Sequence, residues 1–236
     1  NVLYAEELFG DDSVAPGYVG IVENNTPPFD AEIIIEGQPV WIGSNSTVTV
    51  TVPTATGNVT IVIGNKTYKE VPLVNGTVTV PVDAADLVGG ANDVNVTYNG
   101  DLYLKVGNAT GNLQVLDGVI TNATYEYYFD NGYLVSIVPE GATLDFQGLF
   151  LGKYPVYIDK PVNAISSTGD ALFDSGATYA GNAINSFNII AGGDNTNITG
   201  LNFINYCLYI KGASNVTVDS VSIVANKRGV GSGTGF

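Results

Sequence analysis

The stretch Asp194–Val224, DNTNITGLNFINYCLYIKGASNVTVDSVSIV, says one thing twice. Asn197-Ile198-Thr199 returns as Asn215-Val216-Thr217, eighteen positions later. Each triplet is followed by a short polar interruption and an apolar pair, Leu201 and Phe203 in the first copy, Val221 and Ile223 in the second. A unit of two or three very short strands separated by polar corners cannot bury its apolar face alone; it does so by stacking on its neighbours. The spacing predicts coils of a parallel β-solenoid, piled at the ordinary strand spacing of about 4.8 Å. Ile198 should then sit under Val216 and Phe203 under Val221. Asn at one corner can stack on Asn and pair its amide along the axis.

The texture upstream agrees. From about Leu113 the chain breaks into short apolar pieces punctuated by Gly, Asn and Asp: GATLDFQG, YPVYIDKPV, INSFNIIAGG, NITGLNFIN, CLYIKG and NVTVDSVSIVA. None is long enough for a large strand and none has a helical period. Ahead of them, NATYEYYFD after Thr121 reads as a capped helix, with Thr121 as N-cap, Glu126 in the first turns and Tyr125 four residues from Phe129. Asn131-Gly132 ends it. Such a helix would cover the open edge of the first coil, with Tyr125, Tyr128 and Phe129 as its apolar underside; sugar stacking is the alternative role for that aromatic group. Cys207, between Tyr206 and Leu208, reads as a small buried hydrophobe. The chain stops at GVGSGTGF, in the middle of what looks like another coil, so a continuation or a covering copy is expected.

Between Asp30 and Val106 the period is two. The runs AEIIIEG, STVTVTVP, GNVTIVIG, KTYKEVPL, NGTVTVPV, NDVNVTY and DLYLKV alternate apolar and polar residues, the mark of half-buried strands. Val48, Val50 and Val52 face one way and Thr47, Thr49 and Thr51 the other; Val59, Ile61 and Ile63, then Val78, Val80 and Val82, then Val94, Val96 and Tyr98 repeat the pattern. Turn pairs Gly64-Asn65, Asn75-Gly76 and Asn99-Gly100 separate them. Seven short strands at this spacing predict a β-sandwich of immunoglobulin-like type. Asp83–Leu87 looks like a one-turn helix on a crossover, and Trp41 like a core filler or edge plug. Residues 1–30 have no sustained period and read as an extended arm or linker, whose apolar bits Val2–Tyr4 and Tyr18–Val22 could add to a sheet edge in this molecule or a neighbour. The expected division is an arm over 1–30, a sandwich over 31–107 and a capped parallel β-helix over 108–236.

Composition excludes several jobs. The 236 residues carry a net charge of −15, with only eight scattered Lys and Arg. No basic stripe can neutralise a phosphate backbone, so neither nucleic acid nor an anionic membrane surface is an expected partner. No run of about 18 apolar residues spans a membrane. A single Cys gives no disulfide framework. The absence of any His removes Ser-His-Asp and Cys-His nucleophilic systems and His-based metal sites. Gly229–Gly233 is glycine-rich without a strand-to-helix context, so it is a weak phosphate loop. Asp170, Asp174, Asp194 and Asp219 show no clustered spacing, and Lys211, Lys227 and Arg228 are the basic candidates near them. No catalytic, cofactor-binding or metal-binding residues are therefore assigned. A structural Ca²⁺ near Asp11-Asp12 or Asp83/Asp86 remains an alternative, although neither pair matches a twelve-residue EF-hand loop.

Asn-x-Ser/Thr triplets begin at Asn24, Asn45, Asn58, Asn65, Asn75, Asn95, Asn108, Asn122, Asn197 and Asn215. Their excess suits an N-glycosylated, secreted protein; turns opened by Asn that feed Thr-rich strands would produce the same triplets without a glycan. A chain beginning Asn-Val-Leu also fits removal of a leader.

The run NVTIVIGNKTYKEVPLVNGTVTVPV with NVTYNGD resembles the immunoglobulin-like repeats of adhesin-like surface proteins of methanogenic archaea. TNATYEYYFDNGYLVSIVPEGATLDFQG and IDKPVNAISSTGDALFDSG look like the entry to their right-handed parallel β-helix, and NITGLNFIN and NVTVDSVSIV are similar to its coils. The resemblance covers roughly residues 40–236. It implies immunoglobulin-like repeats and a right-handed parallel β-helix; in the family the sandwich usually follows or alternates with the helix, whereas the residues here give an all-β chain in which the sandwich is followed by the N-terminal part of the β-helix with a short helical cap. It also implies an extracellular, cell-envelope location and an adhesive or structural role, with no catalytic residue carried over. The expected partners are other cell-surface proteins or glycans, and further copies of the chain through the arm or an open β-helix end. Two alternatives stand beside the non-catalytic adhesin: a subunit of a surface layer or filament, and a polysaccharide lyase or hydrolase of β-helix type.

Overall fold

A computed structural model describes residues 29–152, 154–176 and 186–224. The arm before Phe29, Asn24, Asp11-Asp12, Lys227, Arg228 and the glycine-rich tail lie outside the described residues.

The period-two runs become eight strands: β1 (Ile34–Gly37), β2 (Val40–Trp41), β3 (Ser46–Thr51), β4 (Asn58–Ile63), β5 (Lys66–Pro72), β6 (Thr77–Val82), β7 (Gly90–Tyr98) and β8 (Gly107–Leu116). They form two sheets, β1-β3-β6 and β2-β8-β7-β4-β5. Every pairing is antiparallel except β2 with β8. One buried cluster draws on both sheets: Val48 and Val50 from β3, Val80 and Val82 from β6, Val59, Ile61 and Ile63 from β4, Val94, Val96 and Tyr98 from β7. The threonines on the other side of β3 pair across to β6, Thr49 with Thr79 at 2.9 Å and Thr51 with Thr77 at 3.2 Å. Ala84–Asp86 is a 3-10 turn on the crossover, where a single turn is expected.

One expected strand is absent. DLYLKV alternates as a strand would, yet among residues 101–106 only Leu104 makes a ladder contact, an isolated bridge to Phe29. Asp101 is the reason. Its carboxylate accepts the amides of Tyr103 and Leu104, both at 2.8 Å, which folds the segment into a turn. The strand follows instead as GNATGNLQVL, paired with β7 along its length from Tyr98↔Gly107 to Gly90↔Val115. This β8 crosses residue 107 and joins two cores: Leu113 is buried in the first cluster and Leu116 in a second. Trp41, on the neighbouring β2, packs against that second cluster.

Beyond β8 come β9 (Val119–Ile120), a single helical turn α1 (Tyr125–Tyr128), β10 (Phe129–Asp130), β11 (Tyr133–Leu134), β12 (Ala142–Phe146), β13 (Leu149–Leu151), β14 (Val156–Ile158), β15 (Val162–Ile165), β16 (Leu172–Asp174), β17 (Ser186–Ile189), β18 (Asn197–Thr199), β19 (Asn202–Ile204), β20 (Cys207–Ile210), β21 (Thr217–Asp219) and β22 (Ser222–Val224). They build three sheets: β9-β12-β15-β18-β21, β13-β16-β19-β22 and β10-β11-β14-β17-β20. All neighbours are parallel except the hairpin β10/β11. The chain visits the sheets in rotation, so β12-β13-β14, β15-β16-β17 and β18-β19-β20 are successive tiers.

Inward positions line up in files. Leu144, Ala164 and Ile198 make one; Phe150, Phe173 and Phe203 another; Val156, Phe187 and Leu208 a third. All nine are buried. Phe150 and Phe173 stack at 4.6 Å, and Phe173 meets Phe146, Phe187 and Phe203 at 5.4–5.6 Å. Each buried Phe contributes roughly 1.5–3 kcal/mol of transfer free energy, so this ring column is a large contributor to the stability of the stack.

Two expectations need correction. The last described tier repeats at twenty residues, not eighteen: Ile198 pairs with Val218 and Phe203 with Ile223, not with Val216 and Val221. The corners fix this register, since Asn195 and Asn215 both take positive φ, as do Gly200 and Ser220. The helix is also shorter than expected. Thr124, not Thr121, precedes it, and the Thr121 amide donates to Thr124 Oγ1 at 2.8 Å. Phe129 has left the helix for β10, pulled into extended geometry by its pairing with Leu134. Asn131-Gly132 closes the β10/β11 hairpin instead of ending a helix. Tyr125, Tyr128 and Phe129 are nonetheless buried together, as expected of the underside. The Tyr128 hydroxyl accepts the amides of Asp117 and Gly118 at 3.1 and 3.0 Å, tying this turn to the exit of β8. Among the described residues no helix is long and apolar enough to cross a membrane.

Candidate functional site

Most of the described asparagine triplets sit where turns meet strands; Asn95 lies within β7 and Asn122 before the helical turn. Asn65 and Asn75 lie in hairpin turns, Asn58 opens β4, and Asn122 precedes α1. All nine described triplet asparagines, Asn45, Asn58, Asn65, Asn75, Asn95, Asn108, Asn122, Asn197 and Asn215, are exposed.

Two of these triplets interlock. On the outer face of β7 and β8, Thr97 Oγ1 donates to Asn108 Oδ1 at 2.8 Å and Thr110 Oγ1 to Asn95 Oδ1 at 3.0 Å. The threonine of each triplet therefore holds the asparagine of the other. Two more lie one tier apart in the stack. Asn197 Nδ2 donates to Asn163 Oδ1 at 2.8 Å, and Asn215 Nδ2 to Asn195 Oδ1 at 2.7 Å. Asn163 and Asn195 complete these ladders although neither begins a triplet; only the register of the tiers reveals them. Asn45 Oδ1 accepts the Ala84 amide at 2.9 Å, and Asn122 Oδ1 accepts the Tyr154 hydroxyl.

Carboxylates along the stack bind their own chain. Asp194 Oδ1 accepts both the amide and hydroxyl of Ser214 at 2.6 Å, one tier on, and those bonds hold its carboxyl below the usual range. Asp145 does the same with Ser167, at 2.7 and 2.6 Å. Burial works to raise Asp145, but the Ser167 and Gln147 bonds outweigh it and its pKa falls. Asp170 accepts from Thr168, which lowers it too, and Asp174 accepts the Gly176 amide at 2.9 Å. Asp219 is exposed on β21. Among the described residues no three or more Cys, Asp or Glu gather as a metal-ligand group. Cys207 is half-buried, in register with Ser186 and on the opposite side of β20 from the core residue Leu208, so it does not fill the interior as expected.

Sequence reading missed the densest polar cluster of the sandwich. Asp101 accepts four bonds, from the amides of Thr56, Tyr103 and Leu104 and from the Thr56 hydroxyl. The Thr56 amide first, then those of Tyr103 and Leu104, hold this carboxyl far below its ordinary range. Below it the Tyr98 side chain is wholly buried, and burial, with the Asp101 carboxylate beside it, pushes the phenol up to about 12.

No family of known sequences matches the chain, and no curated protein does. Among solved structures it is similar to the human titin domain ZIg10, at 11% identity and a TM-score of 0.28, over 45% of this chain and 93% of that one. The protein is all-β, with an immunoglobulin domain as a distant structural neighbour and a second region of parallel sheets.

Proposed function

We propose that this protein is an extracellular, adhesin-like display scaffold without catalytic machinery. In this reading residues 31–107 form an immunoglobulin-like spacer, 108–236 the capped start of a right-handed parallel β-helix, and 1–30 a linking arm. The observation that carries it is the division of labour in the stacked tiers. Their interior is a continuous apolar column from Leu144 to Phe203. Their outer faces carry rows of amides, hydroxyls and carboxylates tied to one another from tier to tier, beside exposed side chains such as Leu149, Leu151 and Tyr133. Such a body is stiff, because each tier is held by ladder bonds, by the ring column and by side-chain ladders together. It offers neutral and acidic polar rows outward, suited to a surface or a glycan and unsuited to nucleic acid. The net charge of −15 and the exposed asparagine triplets support an N-glycosylated surface protein.

The test is binding of the glycosylated protein to a glycan array and to whole cells, beside its intact mass before and after deglycosylation. Saturable binding and a mass loss are expected. A protein that binds neither glycans nor cells, and cleaves acidic polysaccharides instead, would replace this reading with the enzyme.

A further inference from the structure

The third parallel sheet carries a file of outward side chains that none of the motifs above accounts for. Registers β11↔β14, β14↔β17 and β17↔β20 align Tyr133, Tyr157, Asn188 and Tyr209, one per tier. Their neighbours Val156, Ile158, Phe187, Ile189 and Leu208 face the core, so these four face out. Tyr133 and Tyr209 are exposed, and Tyr157 and Asn188 half-exposed. Tyr133 and Tyr157 stack at 4.6 Å with their planes 16° apart, so each covers one face of the other.

The next tier breaks the aromatic file. Asn188 turns its amide nitrogen onto the backbone, donating to Val156 O and Ser186 O at 3.0 Å each. Its side chain is held on the sheet, and among the described residues of that tier no ring stacks on the second face of Tyr157. Tyr209 restores the aromatic file one tier further. Two strand spacings, ~9.6 Å, separate the Tyr157 and Tyr209 backbones. That is close to twice the roughly 4.5 Å at which two rings stack. The backbone spacing therefore leaves the thickness of one ring-sized group between the two tyrosine positions, with the Asn188 position between them.

We infer that this break in the tyrosine file is a binding slot for one pyranose ring of a neutral glycan, seated over Asn188 between Tyr157 and Tyr209. The proposal rests on the adhesin reading and names its ligand class. Sugar C–H bonds are matched to the electron-rich ring faces, and sugar hydroxyls to the tyrosine hydroxyls and the Asn188 carbonyl oxygen. The four residues of the file carry no charge, and the net charge of −15 disfavours acidic glycans. The file runs along the stacking axis, so a linear chain continues over the Tyr133–Tyr157 pair, about one sugar per tier.

The probes are cellohexaose, mannohexaose and a galactohexaose, with polygalacturonate as the acidic comparator, titrated calorimetrically into the intact chain. At least one neutral hexasaccharide is expected to bind. Tyr209→Ala and Tyr157→Ala should each weaken it by roughly tenfold or more. Tyr157→Phe, which keeps the ring and checks folding, should weaken it by less than about threefold. Tyr103→Ala, on the distant 101–106 turn, should leave it unchanged. Neutral-glycan binding that survives both alanine variants overturns the slot and leaves the adhesin reading intact. Binding to cells with no glycan titrating also overturns the slot, while loss of all glycan and cell binding overturns both. Preference for polygalacturonate, or self-association that Tyr209→Ala abolishes with no effect on sugar, overturns the slot as well.

Discussion

Gly200 and Ser220 occupy the same corner of successive tiers, twenty residues apart and both at positive φ, 75° and 53°. Their flanks prove the equivalence: Thr199 pairs with Asp219 and Asn202 with Ser222. An eighteen-residue repeat would instead put Ser220 over Asn202, inside a strand. The two registers therefore predict opposite outcomes for one substitution. Ser220→Gly should be neutral or stabilising by up to about 1 kcal/mol, because glycine carries no penalty in the left-handed region. A strand position would lose about 0.5–1 kcal/mol on the same change. Gly200→Val should destabilise by about 1–3 kcal/mol. Urea denaturation of the three proteins decides between them.

Phe173 is the hub of the ring column. It stacks on Phe150 below and Phe203 above, and meets Phe146, Phe187 and Tyr206 from the sides. Phe173→Ala should cost about 3–5 kcal/mol, since a cavity between stacked tiers cannot collapse without breaking ladder bonds. Phe173→Leu keeps most of the volume and should cost less. The denaturation midpoint checks both, and an alanine variant within 1 kcal/mol of the parent (roughly the scale of an ordinary substitution) would show that the column is not what holds the tiers together.

What the sequence made legible was periodicity in contact with solvent. Val48, Val50 and Val52 against Thr47, Thr49 and Thr51 can be read directly, because one face is wet and the other dry. DLYLKV misleads for the converse reason. Leu102 and Val106 alternate like strand residues but are exposed, since the decisive interaction is the Asp101 carboxylate on two nearby amides. The true strand, GNATGNLQVL, hides behind two glycines and two asparagines that β7 overrides by pairing along its whole length. The polar ladders were half legible. Asn197 and Asn215 stand out as triplets, but Asn163 lies thirty-four residues before Asn197 and is brought to it only by tertiary register. A local motif cannot carry that information.

Acid should loosen the sandwich at Asp101. Its folded-state carboxyl is far more acidic than the ordinary value of about 3.9, so folding favours the charged form. The stability it contributes is fully present above that unfolded value and is lost as pH falls toward the folded one. Asp145 and Asp194 are shifted the same way and act in the same window. Thermal stability should thus be flat from neutrality to about pH 5 and decline below it. Asp101→Asn keeps acceptors for Tyr103 and Leu104 but loses the charge and the Thr56 pair. It should cost roughly 1–2 kcal/mol at pH 7 and flatten the decline below pH 5. Melting curves from pH 7 to 3 give both, and a parent and variant that fall in parallel would exclude Asp101 as a source of the acid sensitivity.

The interlocked triplets of β7 and β8 let occupancy be separated from folding. Thr97 belongs to the triplet of Asn95 but donates to Asn108. Thr97→Val keeps the branched shape that suits a strand, removes the acceptor motif at Asn95, and frees Asn108 from its partner. An exposed cross-strand hydroxyl pair contributes under about 1 kcal/mol, so the variant should fold with nearly parental stability. If Asn95 carries a glycan, as the proposed function holds, the variant made in a glycosylating host should be lighter than the parent by one glycan. Thr97→Ser, which retains the motif and the hydroxyl, should match the parent. Intact-mass spectrometry reads the result, and a Thr97→Val protein that differs only by the substituted side chain would leave Asn95 an unmodified asparagine on the outer face of β7.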